Sequence, residues 1–481
     1  MKKKRNFYLT CLFFMLPVFS QSIIEAMIYS INLFYSFPKF GEEALAAFNV
    51  ANIIWNFFFF LALSVSIAGN ISFSKYFKEK KWKKCQENFA IQIITFFIII
   101  TVVVITIKVL SEKIITFLLE MNKENITHKE LFRKYTESYL SKAIYFFIFA
   151  CFSLIFYNVC FISRKIKTSL KISIFTFFVS LISAFFFFLS QGKKQLDIDS
   201  FENLCWIIFI SRYFEFIIVT SYLIFKKPFF FSIQKKVWKN AFFKIKRFFW
   251  FLFPILINEL QFAVFLIAQP LLLFVGGGEK VLNAFDFNLG LMYFFYSVFP
   301  ACSILIYKFI PSWRTTNEKE IIIKNNKKEK KIILLVFLIG ILFFLIGFIS
   351  SEFIAFFLEK LTTKLDSETL ELTKTYIKWQ SFALPFQILT VTIYAILRVK
   401  KFIKTVLILD GLYLWVIITG GIWFFFNKEK LLDEKTVIIY ISLAEILSTM
   451  IAYSAYYLLV IRKQNSWKKV SYNEQEKLMS R

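Results

Sequence analysis

Residues 16–77 read LPVFSQSIIEAMIYSINLFYSFPKFGEEALAAFNVANIIWNFFFFLALSVSIAGNISFSKYF. This stretch lies in two long apolar runs, at about 7–36 and 45–74, with a short break around Gly41. A helix that crosses a bilayer needs about 20 mostly apolar residues, so each run is long enough to span. The stretch therefore predicts two consecutive membrane helices.

The composition of the 481-residue chain extends this prediction to the rest of the sequence. Hydrophobic residues make up 58%, charged residues only 19%, and Phe alone occurs 68 times. A soluble chain would be about half apolar and a quarter charged, and a disordered chain would have low hydrophobicity, so both classes are excluded. We predict twelve spans, at about 7–36, 45–74, 87–108, 139–163, 170–190, 203–225, 248–275, 281–309, 331–358, 372–397, 404–426 and 436–462.

The net charge of +27 is explained by the order of these spans. With Met1 placed in the cytoplasm, the inside segments hold 40 of the 59 Lys and Arg residues, whereas the outside loops hold 14 Lys/Arg against 18 Asp/Glu. Such a bias fixes orientation, so we expect a multi-pass protein of the cell membrane with both termini cytoplasmic. A nucleic-acid partner becomes unnecessary, and the basic face favours anionic lipid headgroups among the membrane lipids it contacts.

An internal repeat appears when the chain is shifted by 237 residues. The shift superposes Pro, Gly-Glu, Tyr and Lys-Thr positions of the two halves: Pro17 on Pro254, Gly41 on Gly278, Tyr139 on Tyr376, Tyr157 on Tyr394 and Lys167 on Lys404. Six spans per half make the repeat parallel. The fold class is therefore an all-α polytopic membrane protein of two six-helix lobes. We place an N-lobe at 1–225, a basic cytoplasmic linker at 226–247, a C-lobe at 248–462 and a cytoplasmic tail at 463–481.

The opening stretch resembles a known transporter family. Its features are Leu16-Pro17 early in helix 1, Gly41 followed by Ala44-Leu45-Ala46-Ala47, and a helix 2 that ends Ser64-Val65-Ser66-Ile67-Ala68-Gly69. These features are similar to those of the multidrug and toxic compound extrusion (MATE) family, in the multidrug/oligosaccharidyl-lipid/polysaccharide flippase superfamily. The resemblance implies a cation-coupled exporter of organic cations, although the superfamily also includes flippases of lipid-linked sugars.

The chain departs from the family at its cation sites. The resemblance implies an Asp late in helix 1 in many bacterial members, but only Asn32 lies near that place here. Another branch carries a Glu eight residues after the helix-7 Pro, where this chain has Phe262, with Glu259 almost one turn earlier.

Polar residues within spans are candidates for function, because an ionisable group in a bilayer is costly. Ser22, Glu25, Tyr29, Asn32 and Ser36 share one helical face, so Glu25 is a candidate proton carrier in a cavity. The alternative is that Glu25 only bonds a neighbouring helix.

Further candidates lie in helices 2, 7 and 8. Glu259 and Gln269 of helix 7 could bind a cation or a cationic substrate, and Asp286 of helix 8 is the repeat mate of Asn49. Asn52 shares a face with Asn49 and either lines the cavity or holds helices together.

Helix 6 and the last two helices also carry charge. Arg212 and Glu215 are three residues apart, which favours a structural ion pair, although in a flippase Arg212 would contact a phosphate. Asp410 and Glu445 are lone carboxylates in helices 11 and 12, of functional or structural importance.

No constellation for catalysis or for a cofactor is present. His128 is the only histidine, the six cysteines form no CxxC pair, and Gly276–Lys280 lacks the spacing of a phosphate loop. We therefore expect no enzyme and no metal or cofactor, but a monomeric antiporter that exchanges H⁺ or Na⁺ for an amphipathic small molecule. The alternatives are a flippase for a lipid-linked saccharide or other anionic headgroup, and a membrane scaffold.

Overall fold

The chain is all helical in its computed structural model. The structure describes residues 6–31, 40, 42–121, 129–163, 165–191, 197–310, 319–361, 367–427 and 434–462. The α-helices are α1 (Phe7–Ile31), α2 (Glu42–Lys78), α3 (Trp82–Met121), α4 (Lys129–Ile162), α5 (Ile166–Gln191), α6 (Ile198–Lys226), α7 (Lys235–Tyr296), α8 (Val298–Phe309), α9 (Lys319–Leu361), α10 (Ser367–Val399), α11 (Ile403–Gly411), α12 (Gly420–Asn427) and α13 (Glu434–Tyr456). Two π-helical segments, Leu412–Thr419 and Tyr457–Ile461, follow α11 and α13.

The predicted fold class is confirmed. Within the described ranges no strand occurs, and ten helices are long and apolar enough to cross a membrane. The number is eleven if the bent pair 130–145 and 147–162 counts as one span. Helices predominate because a bilayer offers no water to the backbone, so each spanning segment must satisfy its own N–H and C=O groups.

One predicted loop is wrong. The sequence separates spans 7 and 8 at residues 276–280, but α7 runs without interruption from Lys235 to Tyr296. Its apolar windows, 235–265 and 288–309 (the latter continuing through α8), remain distinct. The glycines at 276–278 lower helix propensity, but they do not prevent the intrahelical hydrogen bonds that apolar surroundings demand.

The chain divides into two compact units, which we name the N-unit (Ser20–Ala263) and the C-unit (Met1–Phe19 with Val264–Arg481). The lobe boundaries drawn from the sequence stay predictions. In the N-unit, the predicted linker is docked on α3: Lys244 Nζ lies 2.5 Å from a Glu87 carboxylate oxygen, and the Gln86 amide donates to the Phe229 carbonyl at 3.0 Å.

Small residues allow close helix packing in the C-unit. A Cβ built on Gly340 would lie 2.6 Å from the Pro385 Cα, and one on Gly421 would lie 2.0 Å from the Tyr440 hydroxyl oxygen. The Tyr440 hydroxyl donates to the Ile417 carbonyl within the π segment, in the half of the chain that holds the site described next.

Candidate functional site

A buried carboxylate lies inside the C-unit, on α13. Glu445 is only 9% exposed, and the Gln380 amide nitrogen on α10 donates to both of its oxygens, at 3.0 and 3.1 Å. The same nitrogen lies 2.9 Å from the Tyr296 hydroxyl oxygen, and Gln387 is within hydrogen-bonding reach of Glu445. Three helices thus converge on one carboxylate.

The partners of Glu445 are neutral. None of the ion pairs among the described residues includes Glu445. An isolated charge is expensive in a membrane interior, and neutral donors compensate only part of that cost. The site is therefore suited to take up a proton or a monovalent cation.

The local sequence explains why the polar side chains meet. Gln380, Gln387 and Tyr394 recur every seven residues on α10, and Arg398 follows one turn later, so all four share one helical face. Aromatic hydroxyls complete the surroundings of Glu445: Tyr376 of α10 and Tyr413 of the π segment lie within electrostatic range. A π-helical turn of this kind often occurs at functional sites.

The N-unit also holds a buried carboxylate, but with a different set of partners. Glu215 is 1% exposed; Arg212 Nη1 lies 3.0 Å from its Oε2, and Tyr157 donates to its Oε1. The two residues that we predicted as an ion pair are therefore in contact. A positive charge accompanies this carboxylate, in contrast to Glu445.

The other predicted site residues are only partly visible. Glu259 lies in the N-unit and Gln269 in the C-unit, and both are buried. Asn32 and the side chains of Glu25, Asn52 and Asp286 lie outside the described residues, so these candidates stay predictions.

Sequence reasoning named Glu445 only as a lone carboxylate outside the predicted site and did not connect it with its partners. The signal was present: the seven-residue period of Gln380, Gln387 and Tyr394 marks a polar stripe on an otherwise apolar span. Among the residues that the structure describes, no group of three His, Cys, Asp or Glu side chains could hold a metal ion.

Comparison with known proteins gives one family match over part of the chain and several structural matches over most of it. The MatE family model matches residues 17–186, and no match is found among curated proteins. A mutant of the Vibrio cholerae MATE transporter VcmN has a TM-score of 0.77 at 13% identity, over 96% of this chain and 98% of that one.

Two other solved structures show the same fold. A transporter of the MOP superfamily from Pyrococcus furiosus has a TM-score of 0.74 at 12% identity, over 96% of this chain and 97% of that one. It is described as having a binding pocket of reverse polarity that suggests a different function. An outward-facing multidrug resistance MATE transporter has a TM-score of 0.72 at 11% identity, over 96% and 97% of the two chains.

Proposed function

We propose that the chain belongs to the MATE family of membrane transporters and that it is a secondary transporter that exports amphipathic organic cations in exchange for H⁺ or Na⁺. Its members are transporters of small molecules rather than enzymes. We further propose that the protein is a monomer of the cell membrane with both termini cytoplasmic, and that alternating access between its two lobes moves the substrate.

The observation that supports this proposal is the buried Glu445 with its neutral partners. A carboxylate in a low-dielectric interior holds a proton or a cation, and it releases that ion when a cationic substrate or a change of conformation alters its surroundings. Such an exchange is the elementary step of antiport. Glu25, Asn32, Asn52, Glu259, Gln269 and Asp286 remain the proposed lining of the path for substrate and coupling ion.

The second candidate function is a flippase for a lipid-linked anionic headgroup. The reverse-polarity pocket described for the Pyrococcus furiosus transporter supports keeping this candidate, because it indicates that the fold accepts a pocket of either polarity. A flippase needs an exposed cation for phosphate. Arg212 is engaged by Glu215 instead, and this favours the exporter.

The test is dye efflux from proteoliposomes that contain the purified protein, with an imposed pH gradient or an imposed Na⁺ gradient. We expect one of the two gradients to drive efflux of ethidium, and Glu445→Gln to abolish that dependence. Glu352→Gln is the matched control, because Glu352 is 53% exposed and pairs with Lys378 at 2.8 Å. Gradient-driven efflux that survives Glu445→Gln would remove Glu445 as the coupling site, and the absence of efflux under both gradients would contradict the exporter.

A further inference from the structure

Gln380, Gln387, Tyr394 and Arg398 form a row of polar side chains along α10, which we call the polar file. This row extends beyond the level of Glu445 toward one end of the C-unit. From Gln380 to Arg398 it covers 18 residues, or about 27 Å of helix, close to the roughly 30 Å thickness of the hydrocarbon core. The helix that faces α10, α13, contributes Ser448 and Thr449. The Thr390 and Thr449 hydroxyl oxygens are 2.8 Å apart. Hydroxyl groups thus follow the carboxylate along the axes of α10 and α13.

The file ends at a second carboxylate. The Tyr394 hydroxyl lies beside the Ser448 hydroxyl and donates to the Asp410 carboxylate of α11. Tyr394 is five residues, about 8 Å, from the end of α10 at Val399. The turn that follows holds Lys400 and Lys401, so this end is the one that the charge bias places in the cytoplasm.

Ser448 and Gln387 are the polar side chains that can connect Glu445 with Tyr394. Gln387 is within hydrogen-bonding reach of Glu445, and Ser448, which is 3% exposed, is hydrogen-bonded to the Tyr394 hydroxyl. Within the described part of the chain, Gln387 Oε1 is buried with no hydrogen-bond partner. Buried polar atoms of this kind bond to water in proteins. A water molecule held between Ser448 and Gln387 would join the two carboxylates into one hydrogen-bonded chain.

We propose that Ser448, Tyr394 and Asp410 form the path by which protons move between Glu445 and the predicted cytoplasmic end of the C-unit. This inference rests on the proposed function, of which it names the ion and the route. A proton moves from the Glu445 carboxyl to the water. The Tyr394 hydroxyl then accepts a proton from the water side and releases its own hydroxyl proton to the Asp410 carboxylate. The water and the Tyr394 hydroxyl are chemically unchanged at the end. Glu445 becomes a carboxylate and Asp410 an acid, so charge and atoms balance.

The groups around the path support this direction. Tyr296 of α7, Tyr376 of α10 and Tyr413 of the π segment surround Glu445, and all are neutral in the working pH range. Arg398 lies near Tyr394 at the other end. A positive charge thus lies at the end of the path that holds Asp410, whereas only neutral groups of the described residues surround Glu445.

The experiment measures proton release and substrate binding separately, in the full-length protein in detergent. Ethidium is mixed with the transporter in weakly buffered solution, where a pH-sensitive dye reports proton release and ethidium fluorescence reports binding. We expect Tyr394→Phe and Asp410→Asn to slow release at least tenfold with less than a twofold change in ethidium Kd. Asp410→Glu, which keeps a titratable group, should retain most of the rate.

Tyr453→Phe is the matched control, since Tyr453 lies on α13 and is 45% exposed. Release at the wild-type rate in both Tyr394→Phe and Asp410→Asn would overturn the path while leaving the exporter intact. If the wild-type protein binds ethidium and releases no proton, coupling to H⁺ fails and the path fails with it.

Discussion

The C-unit, like the N-unit, contains a buried ion pair. Removing one partner of this pair is expected to destabilise the protein by about 3–5 kcal/mol. Lys400 Nζ lies 2.6 Å from Glu329 Oε1, with side-chain exposures of 1% and 0%. The Tyr456 hydroxyl donates to Glu329 Oε2 at 3.3 Å. The pair joins the first turns of α9 to the turn after α10 and to the end of α13.

The magnitude follows from the burial of both charges. Because both side chains are almost fully buried, Lys400→Met or Glu329→Gln leaves a charge that bulk water does not reach, which accounts for the full cost. Replacing both partners, by Glu329→Leu with Lys400→Met, removes both desolvation penalties together. We expect the double variant to lie within about 1 kcal/mol of the wild type, because apolar replacement of a buried pair is often neutral.

The pH dependence of Glu329→Gln has a defined sign. Burial lowers the pKa of Lys400, and Glu329 opposes that shift. Without Glu329 the folded state binds the Lys400 proton less tightly than the unfolded state does, so stability should rise with pH below the normal lysine pKa of about 10.4. The variant should therefore be least stable where Lys400 is protonated in the folded state, and its stability should rise as the pH approaches about 10.4.

The assay is reversible unfolding in mixed detergent micelles, followed by far-UV circular dichroism at several pH values. The free energies of the wild type, both single variants and the double variant complete a thermodynamic cycle. A single-variant cost below about 1 kcal/mol, or a double variant less stable than either single one, would refute the reasoning from burial.

Three further outcomes are expected, each measured by the same unfolding assay. Gly340→Ala should cost about 1–3 kcal/mol, because the new Cβ would meet the Pro385 backbone, which cannot move aside as a flexible side chain can. Arg212→Met should cost about 3–5 kcal/mol by leaving Glu215 buried without its positive partner, and Arg212→Met with Glu215→Leu should recover most of that loss. Tyr440→Phe should cost about 1 kcal/mol, the net worth of its hydrogen bond to a carbonyl of the π segment, and an unchanged free energy would show that water replaces that bond.

The helices could be predicted because length and hydropathy suffice in a membrane. Span 331–358 falls within α9, and span 436–462 coincides within two residues with α13 and the π segment Tyr457–Ile461 that follows it. The continuity of α7 could not be predicted. The residues Gly276–Lys280 are polar and rich in glycine, which also describes a loop, and local sequence does not distinguish the two when neighbouring segments favour a helix.

The candidate site was harder to predict because it depends on helix rotation. Glu445 stood out as an ionisable residue within a span, but Gln380 lies 65 residues earlier on α10. Which face of α10 meets α13 is decided by packing between the two helices, and hydropathy carries little of that information. The pair Arg212 and Glu215 was simpler, since both partners lie one turn apart on a single helix.

The internal repeat allows the buried carboxylate of each unit to be compared with that of the other. The 237-residue shift pairs Tyr157 with Tyr394, and each hydroxyl donates to a carboxylate in its own unit. The same shift pairs Arg212 with Thr449. Where the N-unit has a guanidinium that neutralises Glu215, the C-unit has a hydroxyl that accompanies neutral side chains around Glu445. A duplicated scaffold that has the tyrosine in both units but the arginine in only one leaves one unit with a closed ion pair and the other with a carboxylate that lacks a counter-charge of this kind, and we propose that a proton from the aqueous side supplies it.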